Sequence, residues 1–245
     1  MSNLTKIALV TGASRGIGAE VAKRLAKDGF AVVINYAGNK QAAENVVNEI
    51  KLSGGTAQAF QANVSDASAV TNLFDFIESS MGSVNVLVNN AGIMELKAIA
   101  DSNEQHVDQL IDVNLKGTIN TLREASNRLK FGGKIINFST SVVGLKLENY
   151  GVYAATKAAV ETLTGILAKE MRGKQITVNA IAPGPTATEL FLKGKSDELI
   201  ARMANMNPLE RLGTPADIAS VVSFLASADS HWVNGQILRA NGGVV

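Results

Sequence analysis

Tyr153 and Lys157 stand four residues apart in GVYAATKAAVETLTGILAKEM, a stretch with the apolar spacing of a helix. That spacing puts a phenol and an ammonium on one helix face. Alone, the pair reads as two solvated side chains. Its company changes the reading. Ser141 lies twelve residues upstream of Tyr153, and a glycine-rich stretch, TGASRGIG, lies near the N-terminus. A phenol beside an ammonium can give or take a proton, a hydroxyl can hold an oxygen, and a glycine-rich turn can seat a phosphate. Together these groups suit the movement of hydride to or from a carbonyl carbon.

TGASRGIG, Thr11–Gly18, follows the first expected strand and opens the first expected helix. Gly12, Gly16 and Gly18 suit a tight turn, close backbone approach to a ligand and close packing of helix on sheet. Ser14, Arg15 and Ile17 complete the loop. The helix start behind it offers unpaired N–H groups and a positive dipole end to a pyrophosphate. A glycine-rich turn also occurs as a plain strand-to-helix connection, so its place at the first βα junction carries the nucleotide reading. No G-K-[ST] ending follows, which argues against a phosphoryl-transfer loop.

The end of the second strand should read the adenosine ribose, and NAD-selective sites usually place an acid there. This chain has Asn35, Tyr36, Ala37 and Gly38, with no carboxylate until Glu44. An acid would repel a 2′-phosphate, whereas a neutral Asn would not. Arg15, unless it is simply a solvated loop cation, can pair with that phosphate. NADP(H) is therefore the expected cofactor, in preference to NAD(H).

These residues need a scaffold. Strand-like runs at Lys6–Thr11, Phe30–Asn35, Thr56–Gln61, Val84–Asn89, Lys134–Ser139, Gln175–Ile181 and Gly235–Arg239 alternate with helical segments. The helices are expected at Gly16–Asp28, Lys40–Leu52, Ala67–Met81, about Asn103–Arg128, the Tyr153 segment to near Met171, and Pro215–Ser227. Strands such as AVVI, VNVLV and KIINF are nearly continuous apolar runs, as a parallel sheet covered on both faces requires. The expected fold is a single α/β domain over residues 1–245. It has a Rossmann-type, doubly wound parallel seven-stranded sheet with helices on both faces. Pro185 to about Leu212 is the one irregular stretch and reads as a flap over the site, at about 185–212.

Composition narrows the function. The chain has 245 residues, 46% hydrophobic and 18% charged, with net charge +1. Such a balance gives no footprint for nucleic acid or a membrane surface. There are no cysteines and two histidines, His106 and His231, far apart in sequence. Thiolate chemistry and a histidine-rich metal cluster are excluded, and no metal is expected. The apolar run in MSNLTKIALVTGASRG is too short for a signal-peptide core or a membrane span, so the expected location is cytoplasmic.

TGASRGIG, NNAG at Asn89–Gly92, SVVG at Ser141–Gly144, YAATK at Tyr153–Lys157 and PGPTAT at Pro183–Thr188 occur in that order. In this the chain resembles the short-chain dehydrogenase/reductases over its whole length, and among them the β-ketoacyl-carrier-protein reductases and related bacterial ketone reductases. The resemblance implies a catalytic tetrad of Asn114, Ser141, Tyr153 and Lys157. It implies that Asn90, Ala91 and Gly92 support the cofactor, that Asn63 and Val64 contact the adenine, and that Pro183, Gly184, Thr186 and Thr188 line the nicotinamide. Asn63 departs from the Asp more common there.

Phenol is a poor acid, with a free pKa of about 10. Lys157 is expected to stabilise the phenolate and, by resemblance, to bind the nicotinamide ribose. Tyr153 then acts as general acid in reduction and general base in oxidation, and Ser141 holds the substrate oxygen. Asn114 would bind a water relaying protons from Lys157, a role that rests on resemblance alone. Ser139 competes with Ser141; the Val-Val-Gly after Ser141 matches the family pattern, and Ser139 suits the strand. Tyr150 lacks a lysine four residues on. Asp108, Asp112, Glu148 and both histidines read as structural or solvated.

The leading reading is an NADPH-dependent reductase of a 3-oxoacyl thioester or similar small carbonyl compound. A broader ketone or sugar dehydrogenase is the alternative, and a catalytically silent NADP-binding sensor a more distant one. Leu190–Leu192 and Met203 with Met206 suit an apolar lid or a subunit contact. An acyl-carrier-protein partner would need cations beside the cleft; Arg128 with Lys130, and Lys169, Arg172 and Lys174, are the candidates. A homotetramer paired through the long helices is expected from the resemblance.

Overall fold

Burial on both faces explains why the strands read as unbroken apolar runs. In the computed structural model, which describes residues 6–245, β1 (Ile7–Val10) is buried at every position. Ala8 and Val10 face one core; Ile7 and Leu9 face the other. Met1–Thr5, where the segment read as too short for a signal peptide begins, lie outside the described residues.

The chain continues through α1 (Gly16–Lys27), β2 (Ala31–Tyr36), α2 (Lys40–Leu52), β3 (Thr56–Gln61), α3 (Ala67–Ser80) and β4 (Val86–Asn89). Then come α4 (Glu104–Leu110), α5 (Gly117–Arg128), β5 (Lys134–Phe138), α6 (Val142–Leu145), α7 (Gly151–Glu170) and β6 (Thr177–Pro183). The last elements are α8 (Glu189–Leu192), α9 (Asp197–Asn205), α10 (Pro215–Ala226) and β7 (Ile237–Ala240). The seven strands lie in the order β3-β2-β1-β4-β5-β6-β7, and all six neighbouring pairs are parallel. Residues of α1, α2 and α10 pack one core; residues of α3, α5 and α7 pack the other. The doubly wound expectation is met. On α1 the inward stripe is Val21, Ala22 and Leu25, all fully buried. Burying Val21 and Leu25 contributes about 1.5–3 kcal/mol each, an upper figure because an unfolded chain is not fully extended.

The direction of winding reverses between β1 and β4, so the crevice for a ligand opens at the C-terminal ends of those two strands. The glycine loop leaves β1 there, and the NNAG segment leaves β4 there. Amide side chains tie the inner strands together. Asn89 and Asn137 are cross-strand partners, with Asn89 Nδ2 donating to Asn137 Oδ1 at 2.9 Å. Thr121 Oγ1 donates to Asn89 Oδ1 at 2.7 Å, and Asn137 Nδ2 donates to Thr164 Oγ1 at 2.9 Å. This buried polar chain therefore pins α5, β4, β5 and α7 in one register.

Three expectations change. The helix expected from about Asn103 to Arg128 is interrupted by a π-turn at Ile111–Lys116. A widened turn costs helical hydrogen-bond geometry and is kept where a side chain is needed at an off-period position. Here that side chain is Asn114, which is fully buried. The stretch expected as an irregular flap holds two short helices, capped by Thr188 and Ser196. The Ser-Asp-Glu start of α9 is a helix-start signal that the reading of 185–212 as irregular passed over. Finally, β2 runs one residue past Asn35 to Tyr36, which changes what the strand end presents.

Replacing Asn137 by Leu removes a partner from both Asn89 and Thr164. Each buried polar group left unpaired costs about 1–3 kcal/mol. Thr164 Oγ1 keeps its bond to Val160 O, so Asn89 Nδ2 is the group left unpaired. We expect chemical denaturation of Asn137→Leu to show a loss in that range, and an unchanged midpoint would reject the role given to the amide chain.

Candidate active site

Tyr153 and Lys157 lie in the first two turns of α7, where the chain runs away from the C-terminal edge of the sheet. Three contacts, each one turn apart on α7, set this helix against the end of β5. Glu161 Oε1 accepts from Ser139 Oγ at 2.6 Å, Lys157 Nζ donates to Phe138 O at 2.9 Å, and the Tyr153 hydroxyl meets the Thr140 side chain. The i, i+4, i+8 spacing of Tyr153, Lys157 and Glu161 makes this possible. The two residues that carry the sequence argument are therefore brought to one cleft.

Burial dominates the titration of both. It pulls the Lys157 ammonium down to about 8. It pushes the Tyr153 hydroxyl up to about 12, against a lowering contribution from Thr140 and with a further raising one from Tyr150. The expected phenolate stabilised by Lys157 is thus not the state of the protein by itself. Removing phenolate from water costs more than the surroundings return, and Lys157 points its ammonium at Phe138 O. A tyrosine held neutral suits the acid half of the expected role.

Asn114 is clamped. Its Oδ1 accepts from Ile93 N at 2.8 Å, while its Nδ2 donates to Ile93 O at 3.0 Å and to Thr156 Oγ1 at 3.3 Å. The side-chain amide is committed to holding the segment after β4 against α7, which leaves little for the water expected of it. Asn114 and Lys157 do come together: a Cβ added at Gly92 would meet Asn114 Oδ1 at 3.2 Å and Lys157 Nζ at 3.3 Å.

Ser141 lines the cleft, but its hydroxyl is engaged elsewhere. It donates to Ala182 O at 3.0 Å and accepts from Asn241 Nδ2 at 2.9 Å. Ser139, its rival in the sequence, donates to Glu161. Tyr150 is more than a bystander: it walls the cleft and meets the Tyr153 ring edge-on at 6.3 Å between centroids. Thr140, Tyr150 and Asn241 were not singled out as functional from the sequence. Thr140 stands among three consecutive hydroxyl residues, and a run of hydroxyls gives no ranking of its members.

The glycine loop packs so closely on the chain around it that side chains at two of its glycines would clash. A Cβ at Gly12 would lie 2.8 Å from Ala91 Cα, and one at Gly18 would lie 2.6 Å from Gly12 O. Gly12 also has a φ of +62°, in the left-handed region. Asn90 Nδ2 donates to Thr11 O at 2.9 Å and Gly12 O at 3.0 Å, so the NNAG segment braces the loop across the switch point. No side chain caps the start of α1, and its first turn holds no acid. A pyrophosphate fits there: among the described residues the Ile17 and Gly18 N–H groups have no hydrogen-bond partner, and the dipole end is positive. Ile17, Asn90, Gly92, Pro183, Gly184, Thr186 and Thr188 border the adjoining cleft, and Ser14 and Arg15 sit on the loop itself. Arg15 is exposed, with Glu189 of α8 3.7 Å away.

Asn35 is corrected. Its side chain is buried, donates to Ala62 O at 2.9 Å and accepts from Gly12 N at 3.4 Å, so it braces the loop from behind. Tyr36 is buried too, and Ala37–Lys40 form the exposed end beyond β2. The argument from a missing acid carries over to those residues, because 37–40 hold no carboxylate. Asn63 is exposed, with Oδ1 accepting from Ser65 N, while Val64 is buried against Gly117.

Of the cations considered for a carrier protein, Arg128 and Lys174 have partners within the chain. Helices of a doubly wound sheet run back toward the N-terminal ends of the strands, so the last turns of α5 and α7 lie at the edge opposite the cleft. Arg128 is spent on Asp75 at 2.7 Å, Glu124 at 2.9 Å and Glu78 at 3.5 Å. Lys174 donates to Ser126 O. Among the described residues no group of His, Cys, Asp and Glu is placed to hold a metal, and no helix is long and apolar enough to cross a membrane.

A family model described as enoyl-(acyl carrier protein) reductase matches residues 12–245. A short-chain type dehydrogenase/reductase of Picea abies is 45% identical over 250 residues, spanning 98% of this chain and 92% of that one. The chain belongs to the short-chain dehydrogenase/reductase family. Within the family it is similar to the 3-oxoacyl-(acyl-carrier-protein) reductase FabG of Staphylococcus aureus, at 44% identity over 243 residues and 98% of each chain. A crystal structure of a short-chain dehydrogenase from Burkholderia cenocepacia in complex with NADP superposes with a TM-score of 0.93, at 33% identity and 99% coverage of both chains. The family expectation drawn from the five motifs therefore holds.

A lysine whose folded pKa lies below its unfolded value costs stability while it is charged. For Lys157 that cost is present in full below about pH 8 and fades toward pH 10.5, where the unfolded lysine also loses its proton. At about 1.4 kcal/mol per unit the cost near pH 7 is on the order of 3 kcal/mol, partly offset by a hydrogen bond to Phe138 O worth roughly 1 kcal/mol. Lys157→Met should therefore melt higher than the parent at pH 7, with the gap closing by pH 10. A lower melting point at pH 7 would count against the burial cost.

Proposed function

We propose that this protein is an NADPH-dependent reductase of ketones or aldehydes with apolar substituents. The observation that carries the reading is one cleft that holds the neutral Tyr153 hydroxyl and the buried Lys157 ammonium beside an anion-ready glycine cradle. NADPH bound there would supply the hydride. As the carbonyl carbon takes that hydride with its two electrons, the π pair moves to oxygen, and the oxygen takes the proton of Tyr153. Lys157, one turn further along α7 and lining the same cleft, carries the positive charge that favours the phenolate left behind. A second hydroxyl at the end of β5 would hold the oxygen as charge builds on it. Asn114 keeps the segment at Ile93 in place beside Lys157.

The cofactor preference rests on Arg15 and on the stretch 37–40, which holds no carboxylate and ends in Lys40; both suit a 2′-phosphate. It agrees with the NADP bound in the Burkholderia relative. The substrate class rests on the wall of the cleft. Ile93, Met94, Val142, Leu145, Leu190 and Phe191 are among its lining, and Lys157 is the one charged side chain among the described lining residues. A polyol or a second carboxylate would find few partners on such a wall. An acyl thioester with a short apolar chain fits it. The cleft says nothing for docking by a carrier protein, whose expected cations lie at the far edge.

We also propose the tetramer. Ala155, Thr162 and Ile166 form an exposed stripe of small and apolar residues along α7, suited to close helix approach. A monomeric mass by light scattering at micromolar concentration would reject it.

The test of function is NADPH oxidation with an acetoacetyl thioester, a panel of apolar ketones and aldehydes, and a crotonyl thioester. The last tests the enoyl reduction named in the matching family description. We expect the carbonyl compounds to turn over, NADPH to outpace NADH, and Tyr153→Phe to lose roughly 10²–10⁴-fold in kcat, the usual worth of a general acid. Equal rates for parent and Tyr153→Phe would reject Tyr153 as the acid. Turnover of the crotonyl compound alone would reject carbonyl reduction.

A further inference from the structure

Three hydroxyl residues, Ser139, Thr140 and Ser141, follow β5 in sequence, and a serine or threonine hydroxyl has a single hydrogen to give. The hydrogen of Ser139 goes to the Glu161 carboxylate at 2.6 Å. That of Ser141 goes to Ala182 O at 3.0 Å, and a lone pair of the same oxygen is taken by Asn241 Nδ2 at 2.9 Å. Ser141 is in this way a structural knot. Its N–H also bonds Pro183 O, and Asn241 Nδ2 reaches on to Val245 O, so the residue joins the end of β5 to β6 and to the chain terminus. Turning the hydroxyl into the cleft would strand Ala182 O and loosen that knot.

Thr140 is arranged differently. Its Oγ1 accepts from Val142 N at 3.3 Å, and the Tyr153 hydroxyl lies beside it. Among the described residues no backbone carbonyl or carboxylate takes its hydrogen. The same three-step contact of α7 with the end of β5 puts 140, and not 141, opposite residue 153. Thr140 also lines the cleft. Resting on the reductase reading, we propose that Thr140, in place of Ser141, is the second hydrogen-bond donor to the substrate's carbonyl oxygen, acting beside Tyr153. The Val142 N–H fixes the threonine oxygen, and its free hydrogen swings from the phenol to the incoming oxygen. Thr140 keeps its proton throughout; the proton transferred is that of Tyr153.

The test compares Thr140→Val, Thr140→Ser and Ser141→Ala with the parent, in the full-length protein, on one ketone that the parent reduces. Val keeps the shape of Thr and removes the donor. Loss of one such donor costs about 10²–10³-fold in kcat, so Thr140→Val should fall by that factor with the KM for NADPH unchanged. Thr140→Ser should stay near the parent. Ser141→Ala should keep kcat near the parent while melting lower, since it unties β5 from β6. The proposal is overturned if Ser141→Ala loses turnover and Thr140→Val does not, if both lose it alike, or if neither does. The reductase reading fails on a different result, a parent that turns over no carbonyl compound, so the two are separable. If Thr140→Val does not fold, Thr140→Ala in the same assay takes its place, with the same outcomes.

Discussion

A charged amine held almost wholly out of water, its hydrogen bond given to one carbonyl oxygen, sits at the centre of this protein. Placing Lys157 there costs stability, and the fold recovers that cost through the packing of two cores and the ladder of a seven-stranded sheet. What the arrangement returns is a local field. In a site of low polarity a single cation acts strongly on any charge that develops beside it. The phenol of Tyr153 is neutral for the same reason that the ammonium is weakened: neither charged form is well solvated. The site is poised to move charge only when a substrate and a nucleotide bring their own.

The scaffold holds this pair in register by polar contacts rather than by packing alone. The Asn89–Asn137–Thr164 chain aligns β4, β5 and α7, and the contacts of Ser139, Phe138 and Thr140 with α7 carry that alignment to the turns that bear Tyr153 and Lys157. A slide of α7 by one turn would break all of these together, which makes the register specific. Asn114 does the same work on the other side, where the π-turn tips its amide toward Ile93. Asn90 and Asn35 brace the glycine loop from two directions. Much of what the motifs contain is therefore bracing, and only a few of their side chains face a ligand.

Substrate choice follows from the parts with the least regular pattern. The wall facing Tyr153 comes from the segment after β4, from α6 and from the two short helices between β6 and α10. Those segments are short, capped by Thr188 and Ser196, and linked to the glycine loop where Thr188 packs against Gly16 and Arg15 approaches Glu189. Cofactor loop and substrate wall thus touch, so filling one site bears on the shape of the other.

The order of strands and helices, the doubly wound sheet, the glycine cradle and the Tyr153–Lys157 pair were all legible in the residues. Each depends on local spacing: period two against 3.6, glycine at a turn, four residues on a helix. What spacing could not decide was the direction of a side chain whose partner lies far along the chain. Asn35 reads as a ribose contact until Ala62 and Gly12 are seen to claim it, and Arg128 reads as a free cation until Asp75 does. Ser141 reads as the oxygen holder until Ala182 and Asn241, 41 and 100 residues away, are seen on its hydroxyl. A hydroxyl has one hydrogen, and only the tertiary structure shows where it goes.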